Sequence, residues 1–310
     1  MTSYLVAAGL GLQILAYRES AVWHPPTDFR SRVLTACENR GAAFGQCFAD
    51  QMKAEGASPE ALAFTRLIHG DGFIQAFRPV ARVGVASVFY PFRANENYGL
   101  YLINGQPAAV NIDDLQRLPQ DQMDFDPAYA AAKKSYSNAD LWPGDRSSTS
   151  ALLALIFPGG SQQFVANYRV QAGCHACAVL GQAFFSFHFD PAGKFTGTEF
   201  SGFSPHYAFS EIASEKQFSV KPGSRFTFVL PSNRSTGYAW QLGSVAASVL
   251  QSLGHKYDLP GTTRLGQEGH ELWTFQAVKP GQSTLHFSYG RAWEKNIPVA
   301  KEIAVTVRVQ

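Results

Sequence analysis

The spacing of hydrophobic residues predicts helices near the start of the chain. Phe29, Val33 and Cys37 recur at three- to four-residue intervals, which is the period of one helix face. Gly41 and Gly45 follow, and glycine is unfavourable within a helix. We therefore expect a first helix that these two glycines interrupt.

A second helix start signal is present at Ser58-Pro59-Glu60. Serine is a favourable cap, proline fits the first helical turn, and glutamate interacts favourably with the positive end of the helix dipole. Leu62, Phe64 and Leu67 follow as apolar positions. The sequence therefore predicts two or three helices before residue 70.

Beyond residue 70 the apolar residues mostly alternate with polar ones, which is the period of a β-strand. Asn104-Gly105 lies between two such runs and is typical of a tight turn. Residues 113–136 are predicted as polar helix and loop, and residues 141–150 as a crossing segment. Segregated helices and strands indicate an α+β domain with an antiparallel sheet. Its predicted strands are residues 73–77, 82–90, 98–103, 108–112, 163–170, 183–189 and 195–200.

Helical periodicity is absent after about residue 210. Short strand-like runs are separated by Pro222-Gly223, Pro260-Gly261 and Pro280-Gly281, a spacing that indicates an all-β sandwich of about a hundred residues. We therefore predict an α+β domain of unknown function at residues 1–210 and a β-sandwich at residues 211–310. The predicted strands of the sandwich are residues 218–220, 225–230, 239–242, 271–277, 282–289 and 301–309.

Two turns of the predicted sandwich carry residue types that are common at protein-binding surfaces. Thr236-Gly237 lies at a turn tip, where little side-chain bulk allows a partner to approach the backbone closely. Arg291 and Trp293 lie in another turn, and arginine and tryptophan are frequent binding hot spots. Trp240, in contrast, alternates with polar neighbours in a strand, so we expect it in the core.

Three loops lie at residues 233–238 (the first loop), 291–294 (the second loop) and 266–269 (the third loop, which lies between the other two in the sequence). In the order and spacing of these loops, residues 214–310 resemble the chagasin family of cysteine-peptidase inhibitors. The resemblance implies an immunoglobulin-like sandwich that presents all three loops at one end, where they enter the active-site cleft of papain-like peptidases. It implies no catalytic residue and no cofactor. Trp240 follows the first loop, and Trp273 and Phe275 follow the third loop.

The resemblance also implies a role for each loop. Thr236 and Gly237 would lie at the catalytic cysteine of the peptidase. The third loop would contact the unprimed side of the cleft through its backbone, and Arg291 and Trp293 would pack on the primed side. The peptidase-binding candidates are therefore Asn233, Ser235, Thr236, Gly237, Tyr238, Gly266, Gln267, Glu268, Gly269, Arg291 and Trp293.

Three positions depart from the family pattern. Arg234 and Ala292 stand where proline is usual, and both changes free the loop backbone. Glu268 replaces a glycine, which puts a charge where close backbone contact is expected. These departures predict weaker binding or selectivity for a basic partner.

Four cysteines are present, at Cys37, Cys47, Cys174 and Cys177. An even number suits two disulfides in an exported protein, but it allows three pairings and also four reduced thiols. The spacing of Cys174 and Cys177 fits a structural disulfide, reduced core thiols, or redox or metal chemistry. We favour disulfides. We expect no metal site, because a second ligand pair for zinc is missing.

The apolar run at residues 4–17 is too short to span a bilayer as a helix. It lacks a basic region and a small-residue cleavage site, so a remnant export signal and a first buried element both stay open. With the cysteine count, it leads us to expect a periplasmic or secreted protein. Polar clusters at residues 93–97 and 142–146 are expected to be turn formers and solvated charges rather than the lining of a pocket.

A formal net charge of +2 argues against a nucleic-acid or membrane partner. The leading hypothesis is a two-domain protein whose second domain reversibly inhibits papain-like cysteine peptidases. A second hypothesis makes the sandwich a docking module for an exported enzyme, for example a thiol-disulfide enzyme centred on Cys174 and Cys177. A third makes the first domain a ligand-binding domain that positions the inhibitor.

Overall fold

The structure is a computed structural model that consists mostly of β-sheets with a few helices. The run at residues 4–17 and the predicted domain boundary near residue 210 fall outside the residues that it describes, except for Tyr17. The structure describes residues 17–174, 177–208, 217–258, 269–294 and 297–310.

Two compact units are formed from segments that alternate along the chain. The first unit consists of residues up to 118, 143–167 and 185–199. The second unit consists of residues 119–142, 168–184 and 200–310.

Three α-helices open the first unit, in agreement with the sequence-based prediction. The third begins at a favourable cap, since the Ser58 hydroxyl accepts a hydrogen bond from the Ala61 amide at 3.0 Å. The helices are α1 (Phe29–Cys37), α2 (Phe44–Ala54) and α3 (Pro59–Leu67).

The expectation that two glycines interrupt the helical pattern is half wrong. Gly41 does so, with a φ of 51° between α1 and α2. Gly45, however, lies within the first turn of α2. A Cβ atom on Gly45 would collide with the carbonyl group of His69. The missing side chain therefore allows α2 to pack closely on the turn that follows α3.

The sheet of the first unit is antiparallel, with the strand order β1-β2-β3-β4. Phe64 of α3 packs on it in a core that includes Tyr101. Residues 104–108 join β3 to β4, so Asn104-Gly105 is part of a longer connection and not a two-residue turn. The strands are β1 (Phe73–Arg78), β2 (Gly84–Phe89), β3 (Tyr98–Ile103) and β4 (Ala109–Asn111).

Arg146 contradicts the expectation of solvated charges at residues 142–146. Its side chain is only 1% exposed, and its Nε atom donates to Asp113 Oδ1 at 2.6 Å. A second guanidinium nitrogen donates to the carbonyl of Asn167 at 3.0 Å. Burial raises the pKa of Asp113, and the neighbouring Arg146 charge opposes that rise. Arg146 thus belongs to a buried ion pair of the first unit.

The described residues between 119 and 208 contain one α-helix, two short 3-10 helices and five strands. The strands at residues 140–143 and 153–156 were not predicted, and the first of them corrects the expectation of a crossing segment at residues 141–150. Asp126 caps the helix by accepting from the Ala128 amide at 2.8 Å. The elements are α4 (Pro127–Ser135), β5 (Asp140–Pro143), β6 (Leu153–Ile156), β7 (Gln162–Gln171), β8 (Val179–Phe189) and β9 (Phe195–Ala208).

The strands after residue 216 form a β-sandwich, which confirms the sequence-based prediction of a β-sandwich in this region. One sheet has the order β10-β16-β15-β12, and the other contains β13-β14-β11 followed by β9, β8, β7 and β5, with β6 paired to β7. The strands are β10 (Gln217–Val220), β11 (Arg225–Ser232), β12 (Ala239–Leu242), β13 (Leu250–Asp258), β14 (Gly269–Ala277), β15 (Gly281–Gly290) and β16 (Lys301–Val309).

The sandwich core comes from alternate residues of both sheets. Phe228 of β11 meets Phe287 of β15 edge to face, with ring centroids 5.9 Å apart. Trp240 is 3% exposed and belongs to this core, as expected. The sequence does not predict β13, which is a largely exposed strand at the sheet edge with a bulge near Gly254.

His206 is an uncompensated polar group on β9, opposite Thr227 of β11. Its side chain is half-buried, and its Nε2 atom is buried with no hydrogen-bond partner in the described part of the chain. Burial lowers the pKa of His206 to about 4, because the protein interior disfavours the charged imidazole.

We predict that Arg146→Met lowers the free energy of unfolding by about 3 to 5 kcal/mol, because Asp113 is left buried without its partner. Urea denaturation measures this loss. Arg117→Met is the matched control, since Arg117 pairs with Asp114 at the surface. Equal losses in the two variants would contradict the assignment.

We also predict that His206 makes stability depend on pH between about 4 and 6.5. The unfolded chain binds a proton near pH 6.5 and the folded chain only near pH 4, so stability is full above this window and falls as the pH drops through it. Relative to His206→Gln, the wild-type protein should lose up to about 3 kcal/mol across the window. Chemical denaturation at several pH values tests this, and a pH-independent difference would refute it.

Candidate functional site

The first loop, residues 233–238, is held by hydrogen bonds within itself. Asn233 Oδ1 accepts from the Ser235 amide at 3.2 Å and from the Ser235 hydroxyl at 2.6 Å. The Thr236 hydroxyl donates to the Asn233 carbonyl at 2.6 Å. A short 3-10 helix over Arg234–Thr236 ends at Gly237, whose φ of 81° suits glycine. The turn tip therefore has a defined backbone conformation.

The second loop, residues 291–294, contacts the first loop directly. Arg291 Nε donates to the Thr236 carbonyl at 3.1 Å, and the guanidinium lies 4.7 Å from the centroid of the Tyr238 ring. A second guanidinium nitrogen lies 2.8 Å from Glu294 Oε1. Arg291 therefore joins the two predicted loops into one surface.

Trp293 lies against the tip of the first loop. A Cβ atom built on Gly237 would be 2.5 Å from Cη2 of the Trp293 indole, so the ring occupies the space that a side chain at residue 237 would need. Trp293 is nevertheless 66% exposed. Its position fits a contact residue better than a core residue.

In the third predicted loop, Gly266, Gln267 and Glu268 lie outside the described residues. Gly269 is the first residue of β14 and is buried opposite Ser232, the residue that precedes the first loop. The end of β13 and the start of β14, which flank the third loop, therefore lie beside the first loop. Gly290 similarly pairs with Ala239, next to the first and second loops.

Glu271 is a buried residue beneath the first loop that sequence reasoning missed. It is 0% exposed, and its Oε1 atom accepts from the Ser232 hydroxyl at 2.7 Å and from the Trp240 amide at 3.0 Å. The sequence contained a signal, because Glu271 shares the inward alternation of Trp273 and Phe275. A charged residue in such a series needs internal partners.

The four cysteines form two disulfides, Cys37–Cys47 and Cys174–Cys177. This confirms the expectation of disulfides and selects one of the three pairings. The second disulfide lies between strands β7 and β8, whereas a thioredoxin-like pair lies at the start of a helix. Its location therefore does not support the thiol-disulfide hypothesis.

The described residues contain no cluster of potential metal ligands. Among the described helices, none has the length and apolar character needed to cross a membrane. The first unit contains a cavity of about 660 Å³ beside Tyr17, Phe77, Arg82 and Asn104. This volume is within the usual range for small-molecule sites, so a ligand-binding role for the first unit stays a prediction.

Comparison with protein families confirms the resemblance noted in the sequence. Residues 219–307, under a third of the chain, match the family model described as chagasin family peptidase inhibitor I42. A comparison with curated proteins found no match.

Solved structures similar to this chain each align with about a third of it. The cysteine protease inhibitor EhICP2 from Entamoeba histolytica is 18% identical, with a TM-score of 0.31 over 34% of this chain and 94% of that one. Amebosin is 20% identical, with a TM-score of 0.28 over 34% and 96%. PbICP-C, in a complex with falcipain-2, is 16% identical, with a TM-score of 0.27 over 34% and 91%.

We predict that Gly237→Ala displaces Trp293 and destabilises the protein. Gly223→Ala is the matched control, because Gly223 has a similar φ of 83° but open space where a Cβ atom would lie. Both variants strain the backbone by about 1 kcal/mol or more, and only Gly237→Ala also collides with the indole. Indole NMR signals and urea denaturation should show a larger change for Gly237→Ala, and equal changes would count against the contact.

Proposed function

We propose that residues 211–310 form an immunoglobulin-like domain that reversibly inhibits papain-like cysteine peptidases. The observation that carries this proposal is the chagasin-family match at residues 219–307, within which the first and second loops are in direct contact. The remaining chain, residues 1–210, is the N-terminal domain in this proposal.

Inhibition follows from occlusion of the active-site cleft. Thr236-Gly237 offers a narrow tip that approaches the catalytic thiol of the peptidase with backbone atoms, and it presents no side chain large enough to prevent this. Residues 266–269 contact the unprimed side of the cleft. Arg291 and Trp293 contact the primed side, where the exposed indole buries a large rigid surface.

Affinity in this mechanism depends on the first loop being ordered before the peptidase binds. The internal hydrogen bonds of Asn233 and Thr236, together with the Arg291 contact, already fix the first loop. Less conformational entropy is then lost when the complex forms. No covalent step and no cofactor is required, so inhibition is reversible.

We further propose that the protein is exported to a periplasmic or extracellular compartment. Two disulfides support this proposal, because disulfides persist mainly in oxidising compartments.

Titration of papain with the full-length protein tests the proposed function. We expect reversible inhibition, and Trp293→Ala and Thr236→Trp should each raise the inhibition constant at least about tenfold, because one removes contact area and the other blocks the cleft approach. Val278→Ala is the control, since Val278 is exposed beside the opposite ends of β11 and β14. Absence of inhibition by the wild-type protein, or unchanged constants in both variants, would overturn the proposal.

A further inference from the structure

The inward-facing residues of the sandwich become polar at the end that carries the loops. Along β14 the inward positions are Phe275 and Trp273, and then Glu271, whose side chain is fully buried. A buried carboxylate is strongly unfavourable unless hydrogen-bond donors surround it. Glu271 is therefore informative, because its position requires a specific set of partners.

Two of these partners define the ends of the first loop. Ser232 is the last residue of β11 before the loop, and its hydroxyl donates to Glu271 Oε1 at 2.7 Å. Trp240 follows the loop on β12, in the opposite sheet, and its amide donates to the same oxygen at 3.0 Å. One oxygen atom therefore fixes the distance between the two ends of the first loop.

The other carboxylate oxygen faces a histidine and an arginine. His255 Nε2 lies 2.6 Å from Glu271 Oε2, and the histidine tautomer with a proton on Nε2 donates to this oxygen when Glu271 is ionised. Arg234 lies 3.6 Å from Oε2, and its guanidinium is 4.5 Å from the centroid of the Tyr257 ring. Arg234 belongs to the first loop, so the carboxylate also interacts with the loop itself.

The donor count explains why a carboxylate is needed at residue 271. Ser232, Trp240, His255 and Arg234 all present hydrogens, and an ionised carboxylate accepts from both oxygens. Glutamine has almost the same shape but only one acceptor oxygen. Its NH₂ group would face the Arg234 guanidinium, which can only donate, and His255 would have to change its tautomer to accept from that group.

We propose that Glu271 is the positioning residue of the first loop, through its contacts with both loop ends and with Arg234. This inference rests on the proposed function, since it identifies what orders the inhibitory loop. Arg234, which stands where the resembling family usually has proline, then restrains the loop by charge and ring contact instead of by a fixed φ.

The test uses Glu271→Gln and Arg234→Gln in the full-length protein. The matched control is Arg225→Gln, because Arg225 also lies over an aromatic ring, that of Phe184, but at the opposite end of β11. Amide hydrogen exchange at Ser235 and Gly237 reports on loop order, and exchange at Phe275 and Val305 reports on the core. Inhibition of papain is measured on the same samples.

We expect Glu271→Gln and Arg234→Gln to speed exchange at Ser235 and Gly237 by about tenfold or more, with core exchange unchanged. Both should raise the inhibition constant about tenfold, and the double variant should be no worse than Glu271→Gln alone, because the two residues act through one contact. Arg225→Gln should change neither readout.

Several outcomes separate this inference from the proposed function. If the wild-type protein does not inhibit papain but loop exchange responds as expected, the proposed function fails and the positioning role stands. If wild-type inhibition is observed and both variants leave loop exchange and inhibition unchanged, the positioning role is overturned. If Glu271→Gln also speeds exchange in the core, its effect on the loop is not specific, and the Arg234→Gln variant becomes the deciding test. Unchanged exchange at Ser235 and Gly237 in Arg234→Gln then overturns the inference.

Discussion

A carboxylate without access to water has to be surrounded by hydrogen-bond donors, and this requirement organises the loop end of the sandwich. At Glu271 the donors come from β11, from β13 and from β12 of the facing sheet. If one of these strands shifted alone, Glu271 would lose a hydrogen-bond donor and its buried charge would be left without compensation. Two of these donors, Ser232 and Trp240, flank the first loop, so its span follows from the packing beneath it.

The fold was predictable where order comes from neighbouring residues. The cap at Ser58 and the alternating strands of the sandwich are local signals, and both appear in the structure. Strand β13 was missed because its order comes from pairing with β14. Arg146 was misjudged for a similar reason, since Asp113 lies 33 residues away along the chain.

The candidate site was predictable in its residue types but not in its contacts. The small tip at Thr236-Gly237 and the pair Arg291 and Trp293 were identified from composition and from family resemblance. Nothing in the sequence shows that Arg291 donates to the backbone of Thr236, because this contact joins residues 55 positions apart. Glu271 could have been noticed as a charge in an apolar series, yet its partners could not have been named.

The contact between Gly237 and Trp293 links two positions that are far apart in the sequence. The indole fills the volume next to a glycine that has no Cβ atom, so a larger residue at 237 either displaces the indole or is matched by a smaller residue at 293. These positions should therefore vary together among descendants of this chain. Laboratory evolution of a larger residue at 237 would therefore gain from randomising both codons together, since Trp293 obstructs a side chain at 237 until it is itself replaced or displaced.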